Sequence, residues 1–151
     1  MIVLGVDPGE MNGLCVVKVV DQIPYVEYQS MVSYDNLVNE TLYIKDRWEI
    51  DRVIIEEYKI LPHMLRAHTG GKKGKGITMR AIGVVDAIYH SSPRFYQPAS
   101  ILDTTQLQSE MHLPNNHSIS HWISAYNHAW RHLRDRGLIR SPVELRASEI
   151  T

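Results

Sequence analysis

The chain has 151 residues, a net charge of −1 and 44% hydrophobic residues, as expected for one globular domain with a sizeable core. Its single cysteine, Cys15, excludes an intramolecular disulfide framework and a cysteine-based zinc site. No apolar run approaches the roughly 20 residues needed to cross a bilayer, and the N-terminus has no secretory signal pattern. We therefore expect a cytoplasmic protein without membrane contact, and the overall charge gives no argument for a polyanionic partner.

The first part of the chain predicts three strands, a helix and a fourth strand. An apolar run suits a first strand buried on both faces, and it ends at Asp7. A segment with helical spacing precedes the β-branched run RVIIEE, which implies a crossover to a strand parallel to the first. The predicted strands cover residues 1–6, 13–20, 25–30 and 52–57, and the helix covers residues 35–48.

The second part predicts helices around one further strand. Helical spacing ends near Tyr89, and Pro98 opens another helix at its first turn. Ser118 or Ser120 then caps a long helix that is ended by Gly137. These elements cover residues 77–89 (helix), 94–97 (strand), the region from Pro98 (helix) and about 118–136 (helix), with a polar loop at 112–117.

The order of elements predicts an α/β fold. We expect one mixed five-stranded sheet, with three antiparallel strands followed by β-α-β crossovers and with helices on both faces. Residues 1–137 are assigned to this domain and residues 138–151 to a C-terminal tail.

A basic segment extends from Tyr58 to Val85, where 28 residues contain no Asp or Glu. Its glycine- and lysine-rich tip, residues 70–76, cannot pack a core but lets backbone amides and ammonium groups conform to an anion. Two interpretations stay open: a solvated, mobile loop, or a surface that contacts nucleic-acid phosphates. The six cations are Lys59, Arg66, Lys72, Lys73, Lys75 and Arg80.

Two carboxylates mark the ends of apolar strands: Asp7 on the first, and Glu56 or Glu57 on the fourth. If the crossover makes these strands neighbours, their ends lie roughly 5 Å apart. Two anions so close repel each other unless a cation lies between them, and oxygen ligands favour Mg²⁺ or Mn²⁺ over Zn²⁺. The alternatives are a turn-forming Asp before Pro-Gly and a solvated strand end.

The last long helix carries a stripe of histidines. His121, Ser124, Ala125, His128 and His132 share one helical face. Such a stripe is either a solvated surface or, if it faces the strand-end carboxylates, a source of further ligands. His121 and His128 are the candidates for that role.

These segments together resemble the RuvC-type Holliday-junction resolvases of the ribonuclease H-like superfamily, above all the small phage-encoded members. The resemblance rests on Asp7-Pro-Gly followed by Gly13, on the strand end VIIEEY and on SHWISAYNHAW in the last helix, and spans about residues 1–136. The helix at Met79–Tyr89 and the segment RFYQPAS resemble the next elements of the family. The resemblance implies a ribonuclease H-like fold. It also implies that the protein acts in a bacterial or phage-infected cell.

The resemblance implies roles for individual residues. Asp7 is expected to be the first metal-binding carboxylate and Glu56 the second, with His121 completing a site for Mg²⁺ or Mn²⁺. Ser124 stands where the family has an acidic ligand. His128 matches a histidine of the phage members, and it would act as a base, orient water or touch phosphate.

Ser124 departs from the family pattern, because a serine hydroxyl is a poor Mg²⁺ ligand and brings no negative charge. Three explanations stay open. His121 and His128 serve as ligand and base beside the two carboxylates, or Ser124 is an engineered substitution, or the chain has lost cleavage and only binds branched DNA. A second departure is Asp103, where the family tends to have a lysine.

The resemblance therefore implies a metal-dependent endonuclease that resolves four-way DNA junctions by paired nicks from a homodimer. Tyr58 would either wedge at the junction centre or simply pack at its strand end. The alternative is a cleavage-deficient protein that binds branched DNA on the same fold. An actin-like nucleotide-binding protein would need a second phosphate loop, which we do not find, so no nucleotide cofactor is expected. The expected DNA contacts are Tyr58, Lys59, Arg66, Lys72, Lys73, Lys75 and Arg80.

Overall fold

The computed structural model describes residues 1–58, 74–98 and 121–140. Outside these ranges lie several predictions: the helix after Pro98, the caps at Ser118 and Ser120, the polar loop at 112–117 and most of the C-terminal tail. The described ranges contain both candidate carboxylates and the histidine-bearing helix.

Five strands lie in the described ranges: β1 (Ile2–Asp7), β2 (Met11–Val20), β3 (Ile23–Ser33), β4 (Arg52–Glu57) and β5 (Arg94–Pro98). They form one open, mixed sheet in the order β3-β2-β1-β4-β5. β2 pairs antiparallel with both β1 and β3, whereas β4 pairs in parallel with both β1 and β5. The predicted meander and the parallel crossover are confirmed.

β2 and β3 are longer than predicted, and a tight hairpin joins them. Asp21 and Gln22 both have positive φ, 51° and 65°, as in the two-residue turns that match the twist of paired strands. The pairing continues from Val20 and Ile23 to the far ends of both strands. This turn lacks the glycine that usually marks such hairpins, so the apolar pattern put the start of β3 two residues too late.

Three α-helices pack on the sheet within the described ranges: α1 (Leu37–Arg47, after a 3-10 turn at Tyr34–Asn36), α2 (Gly74–Ile88) and α3 (His121–Asp135). α1 and α2 cover one face and α3 covers the other. α2 begins three residues before the predicted start because its apolar pattern begins only at Ile77. α3 ends as expected just before Gly137, whose φ is +65°. None of the described helices is long and apolar enough to cross a membrane.

Side-chain alternation along the strands decides which residues face α3. Val3 on β1 and Ile54 on β4 are fully buried in the core beneath α3. Since strand side chains alternate between faces, Asp7 and Glu56 also belong to the α3 face. The fold therefore directs both carboxylates toward the histidine-bearing helix.

Candidate active site

The two candidate carboxylates lie side by side at one end of the sheet. β1 and β4 pair with Gly5 opposite Ile54, and the same register continued by two residues sets Asp7 opposite Glu56. Their side chains are 13% and 22% exposed, and the two carboxyl groups are close enough to interact. The structure thus brings together the pair that the sequence singled out.

Glu57 does not belong to this pair. Ile55 is buried in the core beneath α1 and α2, and Glu57 follows it by two residues along β4. The alternation of strand side chains therefore sends Glu57 to the opposite face of the sheet. Of the two adjacent glutamates, Glu56 is the one that faces Asp7 and α3.

Two glycines let α3 lie directly on the sheet. A Cβ on Gly13 would collide with the carbonyl oxygen of His121, and a Cβ on Gly5 would collide with that of Ala125. Gly13 is also the residue paired with Asp7 across β1 and β2. The close backbone contact at Gly13 therefore sets the first turn of α3 beside the Asp7 carboxylate.

His121 contacts Asp7. Nδ1 of His121 lies 2.8 Å from Oδ2 of Asp7, and the His121 side chain is 49% exposed. Because Nδ1 is occupied, Nε2 is the ring nitrogen that can meet a further partner. The first histidine of the stripe is thus at the open side of the site.

His128 lies deeper and bridges two strands. Its Nε2 lies 3.2 Å from Oε2 of Glu56, and its Nδ1 lies 3.1 Å from Oε1 of Gln97. The ring is 1% exposed, so these contacts fix its orientation. Ser124, also buried, donates a long hydrogen bond of 3.5 Å to the same Glu56 oxygen.

Sequence reasoning missed Gln97. It lies beside Glu56 because β4 and β5 pair with these two residues opposite each other. Its segment RFYQP was recognised as a strand, but nothing in the sequence gives the register between two parallel strands. That register alone brings Gln97 into hydrogen-bonding distance of His128.

The electrostatics of the two carboxylates differ. Burial, followed by the charge of Glu56, raises the pKa of Asp7 to about 6, against the opposing effect of His121. Burial also acts to raise the pKa of Glu56. However, the hydrogen bond and charge of His128, with further hydrogen bonds from Asp7 and Ser124, outweigh it and lower that pKa. Above pH 6 the site therefore holds two adjacent anions, which a cation would stabilise.

The donor chemistry fits a hard divalent ion. Asp7 and Glu56 present carboxylate oxygens to one space, and His121 offers a nitrogen at its rim. In the described part of the chain no group of three or more His, Cys, Asp or Glu side chains is already arranged to hold a metal. Nδ1 of His121 instead contacts Asp7, so His121 would exchange this hydrogen bond for coordination when an ion binds.

The predicted DNA contacts are only partly described. Tyr58 is half-buried just after β4, and Arg80 is exposed on α2. Lys75 lies in the first turn of α2, but its side chain is outside the described set. The remaining basic residues of this prediction, Lys59, Arg66, Lys72 and Lys73, lie outside the described residues.

Comparison with solved structures finds junction resolvases. A structure of Thermus thermophilus RuvC in complex with a Holliday junction substrate superposes with a TM-score of 0.67 at 17% identity, covering 91% of this chain and 97% of that chain. Another Thermus thermophilus RuvC structure gives a TM-score of 0.68 at 17% identity, covering 91% and 98%. The fowlpox virus resolvase in complex with substrate Holliday junction DNA gives 0.59 at 12% identity, covering 90% and 99%.

At these identities the likeness concerns the fold, which is the ribonuclease H-like fold of RuvC. The coverage shows that it extends over nearly the whole chain. No family model matches the sequence, and no curated protein matches it. The fold implied by the resemblance is confirmed.

Proposed function

We propose that this chain is a metal-dependent endonuclease that resolves four-way DNA junctions as a homodimer. The observation that carries this proposal is the pair of Asp7 and Glu56, set opposite each other on adjacent parallel strands beneath α3. The structurally similar RuvC and fowlpox resolvase were both solved with Holliday junction DNA, which supports the substrate class.

Asp7 and Glu56 would hold Mg²⁺ or Mn²⁺, with His121 as a third ligand. A bound ion of this kind supplies a water nucleophile at neutral pH and stabilises charge on the leaving oxygen during phosphodiester hydrolysis. Oxygen-rich ligand sets of one or two carboxylates suit Mg²⁺, which keeps several of its waters. The incomplete ligand set is therefore compatible with this class of ion.

The other residues of the site would position the carboxylates. His128, fully buried between Glu56 and Gln97, holds the Glu56 carboxylate in one orientation. Ser124 adds a neutral hydrogen bond to the same oxygen. Since Ser124 brings no negative charge, the ion would be held more weakly than in a site with a third carboxylate.

Homodimer formation would match the protein to its substrate. A four-way junction has two-fold symmetry, and two copies related by a two-fold axis would present two sites to two equivalent strands. The basic segment from Tyr58 to Val85 would contact the phosphates. Each protomer would then cut one strand.

The proposal is tested by nicking of a labelled four-way junction in Mg²⁺ or Mn²⁺. We expect symmetric nicks from the wild type and loss of more than about 100-fold in rate for Glu56→Gln, since that change removes an anionic ligand. Glu57→Gln is the matched control: it makes the same chemical change one residue away, on the other face of the sheet. It should cleave within a few-fold of the wild type.

Three outcomes are informative. Nicks that depend on Glu56 and on the divalent ion support the proposal. Equal loss in both variants would contradict the placement of the site, because Glu57 does not face Asp7. A shifted junction band without any nicking would instead favour the cleavage-deficient binding protein.

A further inference from the structure

A second feature of the molecule is a cleft of about 420 Å³ between β5 and the C-terminal end of α3. Phe95 and Gln97 lie on its β5 side, and Gln97 also contacts His128 of the candidate active site. The α3 side of the cleft is formed by His132, Asp135 and Arg136. None of these residues except Gln97 contacts the carboxylates or their histidines in the described contacts.

Two arginines converge on Phe95. The guanidinium carbon of Arg136 lies 4.6 Å from the ring centroid of Phe95, and that of Arg52 lies 5.7 Å from it. Nη1 of Arg52 also lies 3.4 Å from Nε2 of His132, whose ring packs against Phe95 at a tilt of 48°, with the ring centroids 4.4 Å apart. In the described part of the chain neither Arg52 nor Arg136 pairs with a carboxylate.

The acidic group of the cleft is already neutralised. Asp135 is the one carboxylate that lines the cleft among the described residues. Its two oxygens are paired with Arg131 and Arg134, each at 3.2 Å. Arg131 and Arg134 thus neutralise Asp135, and within the described residues Arg52 and Arg136 have no carboxylate partner.

His132 adds no positive charge to the cleft, because its pKa is lowered in these surroundings. Burial, and then the charges of Arg136 and Arg52, lower the pKa of His132 to about 4. The ring is therefore neutral near pH 7 and accepts from Arg52 instead of repelling it. Two guanidinium groups held around a neutral, largely apolar centre favour an anion that can accept several hydrogen bonds at once.

The cleft lies next to the candidate active site. Gln97 lines the cleft and contacts His128, which in turn contacts Glu56. A chain of phosphates leaving the two carboxylates along this side of α3 would reach Arg136 and Arg52. A single small anion would make no use of this proximity.

We propose that this cleft, with Arg136 and Arg52, binds the sugar–phosphate backbone of a DNA strand that runs from the active site. The contacts are to phosphate and carry no base readout, so they add affinity without sequence preference. This assignment rests on the proposed function, since it takes branched DNA as the ligand of the neighbouring site.

The test measures junction binding by fluorescence anisotropy across a series of NaCl concentrations, with Ca²⁺ in place of Mg²⁺. We expect Arg136→Gln to weaken binding roughly fivefold to tenfold at about 0.1 M salt and to reduce the slope of log K against log[salt] by about one. Arg52→Gln should reduce the affinity and the salt slope by similar amounts. An unchanged melting profile would show that this variant is folded.

Arg47→Gln is the matched control. Arg47 is exposed on α1, on the other side of the sheet, and its guanidinium stacks on Tyr43 at 4.2 Å much as Arg136 stacks on Phe95. The two changes remove the same charge and the same kind of contact. Arg47→Gln should leave both the affinity and the salt slope within about twofold of the wild type.

The outcomes separate the two proposals. If the wild type binds and nicks junctions while Arg136→Gln behaves like Arg47→Gln, the cleft assignment is wrong and the proposed function stands. If the wild type does not bind junctions at all, both are wrong. Free inorganic phosphate is the other anion that could bind the cleft. Its binding is measured by NMR titration, followed through the His132 ring signals. If phosphate saturates the cleft tightly and junction DNA does not displace it, the assignment is also wrong.

Discussion

Asp7 occupies a position where its charge is unfavourable in the protein without metal. Burial and the neighbouring Glu56 raise its pKa to about 6 from an ordinary value of 3.8. Between these two values the folded protein keeps a proton that the unfolded chain releases. The stability linked to Asp7 is thus fully present below pH 3.8, and it is lost as pH rises through about 6. Function and stability oppose each other at this residue.

Asp7→Asn should therefore stabilise the metal-free protein while removing cleavage. Above pH 6 we expect a gain on the order of 1–3 kcal/mol, or roughly 3–8 °C in Tm, because Asn carries no charge to bury. At pH 4 the gain should fall to a small fraction of this value, since Asp7 is then protonated in the folded protein and the pH lies close to the pKa of 3.8 in the unfolded chain. Thermal unfolding in EDTA at pH 4 and pH 8 measures both.

Asp46→Asn serves as the control for this charge change. Asp46 is exposed on α1, so its loss alters net charge without relieving burial and should shift Tm by little. A Tm of Asp7→Asn at or below that of the wild type at pH 8 would contradict the electrostatics described for the site.

Ser124 is the second residue whose chemistry can be tested by substitution. Ser124→Asp would add a third carboxylate beside Glu56, so the metal-free protein should lose stability. The ion should then bind at least about tenfold more tightly, because ligand charge governs the affinity of such sites. The measurement is the Tm gained on adding Mg²⁺, together with the nicking rate.

Ser124→Asn separates charge from shape in that experiment. It has nearly the same size as Asp but brings no anion, so it should gain neither Mg²⁺ stabilisation nor activity. An equal Mg²⁺ response in the Asp and Asn variants would show that position 124 does not meet the ion.

At the scale of elements, the site depends on how closely α3 approaches the sheet. Gly13 permits the backbone of His121 to contact β2, and Gly5 permits the same for Ala125. The apolar pattern predicted the order of the strands and α3, and β4 was predicted with its observed bounds, Arg52–Glu57. It could not predict the depth of α3 on the sheet, because that depth is set by contacts between distant segments.

Gly13→Ala should displace the first turn of α3 from Asp7. A shift of even 1 Å at a catalytic group can lower the rate about 100-fold, and the clash should also lower Tm. Nicking rate and thermal unfolding are the two measurements.

Gly83→Ala is the control at the same scale. Gly83 is exposed on α2 with open space around it, so alanine should stabilise the helix by roughly 0.5–1 kcal/mol and leave cleavage unchanged. If Gly13→Ala proved as harmless as Gly83→Ala, the close contact would not position the site.

The histidine stripe shows what the sequence could and could not reveal at this scale. Helical spacing correctly set His121, His128 and His132 on one face, yet their surroundings differ. His121 is half-exposed at Asp7, His128 is buried against Glu56, and His132 is buried against Phe95. The burial of each histidine depends on the strands beneath the helix. The register of those strands cannot be predicted from the spacing of residues along the helix.

At the scale of the whole molecule, the proposal requires two copies acting on one junction. A supercoiled plasmid with an extruded cruciform tests this directly. If both strands are cut within one encounter, the product is mainly linear DNA. If single protomers act independently, the first nick releases the supercoiling, the cruciform is reabsorbed, and nicked circles accumulate.

We expect linear product to exceed nicked circles at protein concentrations where sedimentation shows a dimer. Nicked circles as the main product at such concentrations would contradict paired cleavage. The result bears on the assembly alone, since either product requires a working site at Asp7 and Glu56.

Diffraction from crystals soaked in MnCl₂, measured above the manganese absorption edge, examines the site most directly. An anomalous peak bridging carboxylate oxygens of β1 and β4, at coordination distances of about 2–2.2 Å, is the predicted result. Well-ordered Asp7 and Glu56 side chains turned away from each other, with no peak between them at saturating manganese, would contradict the account.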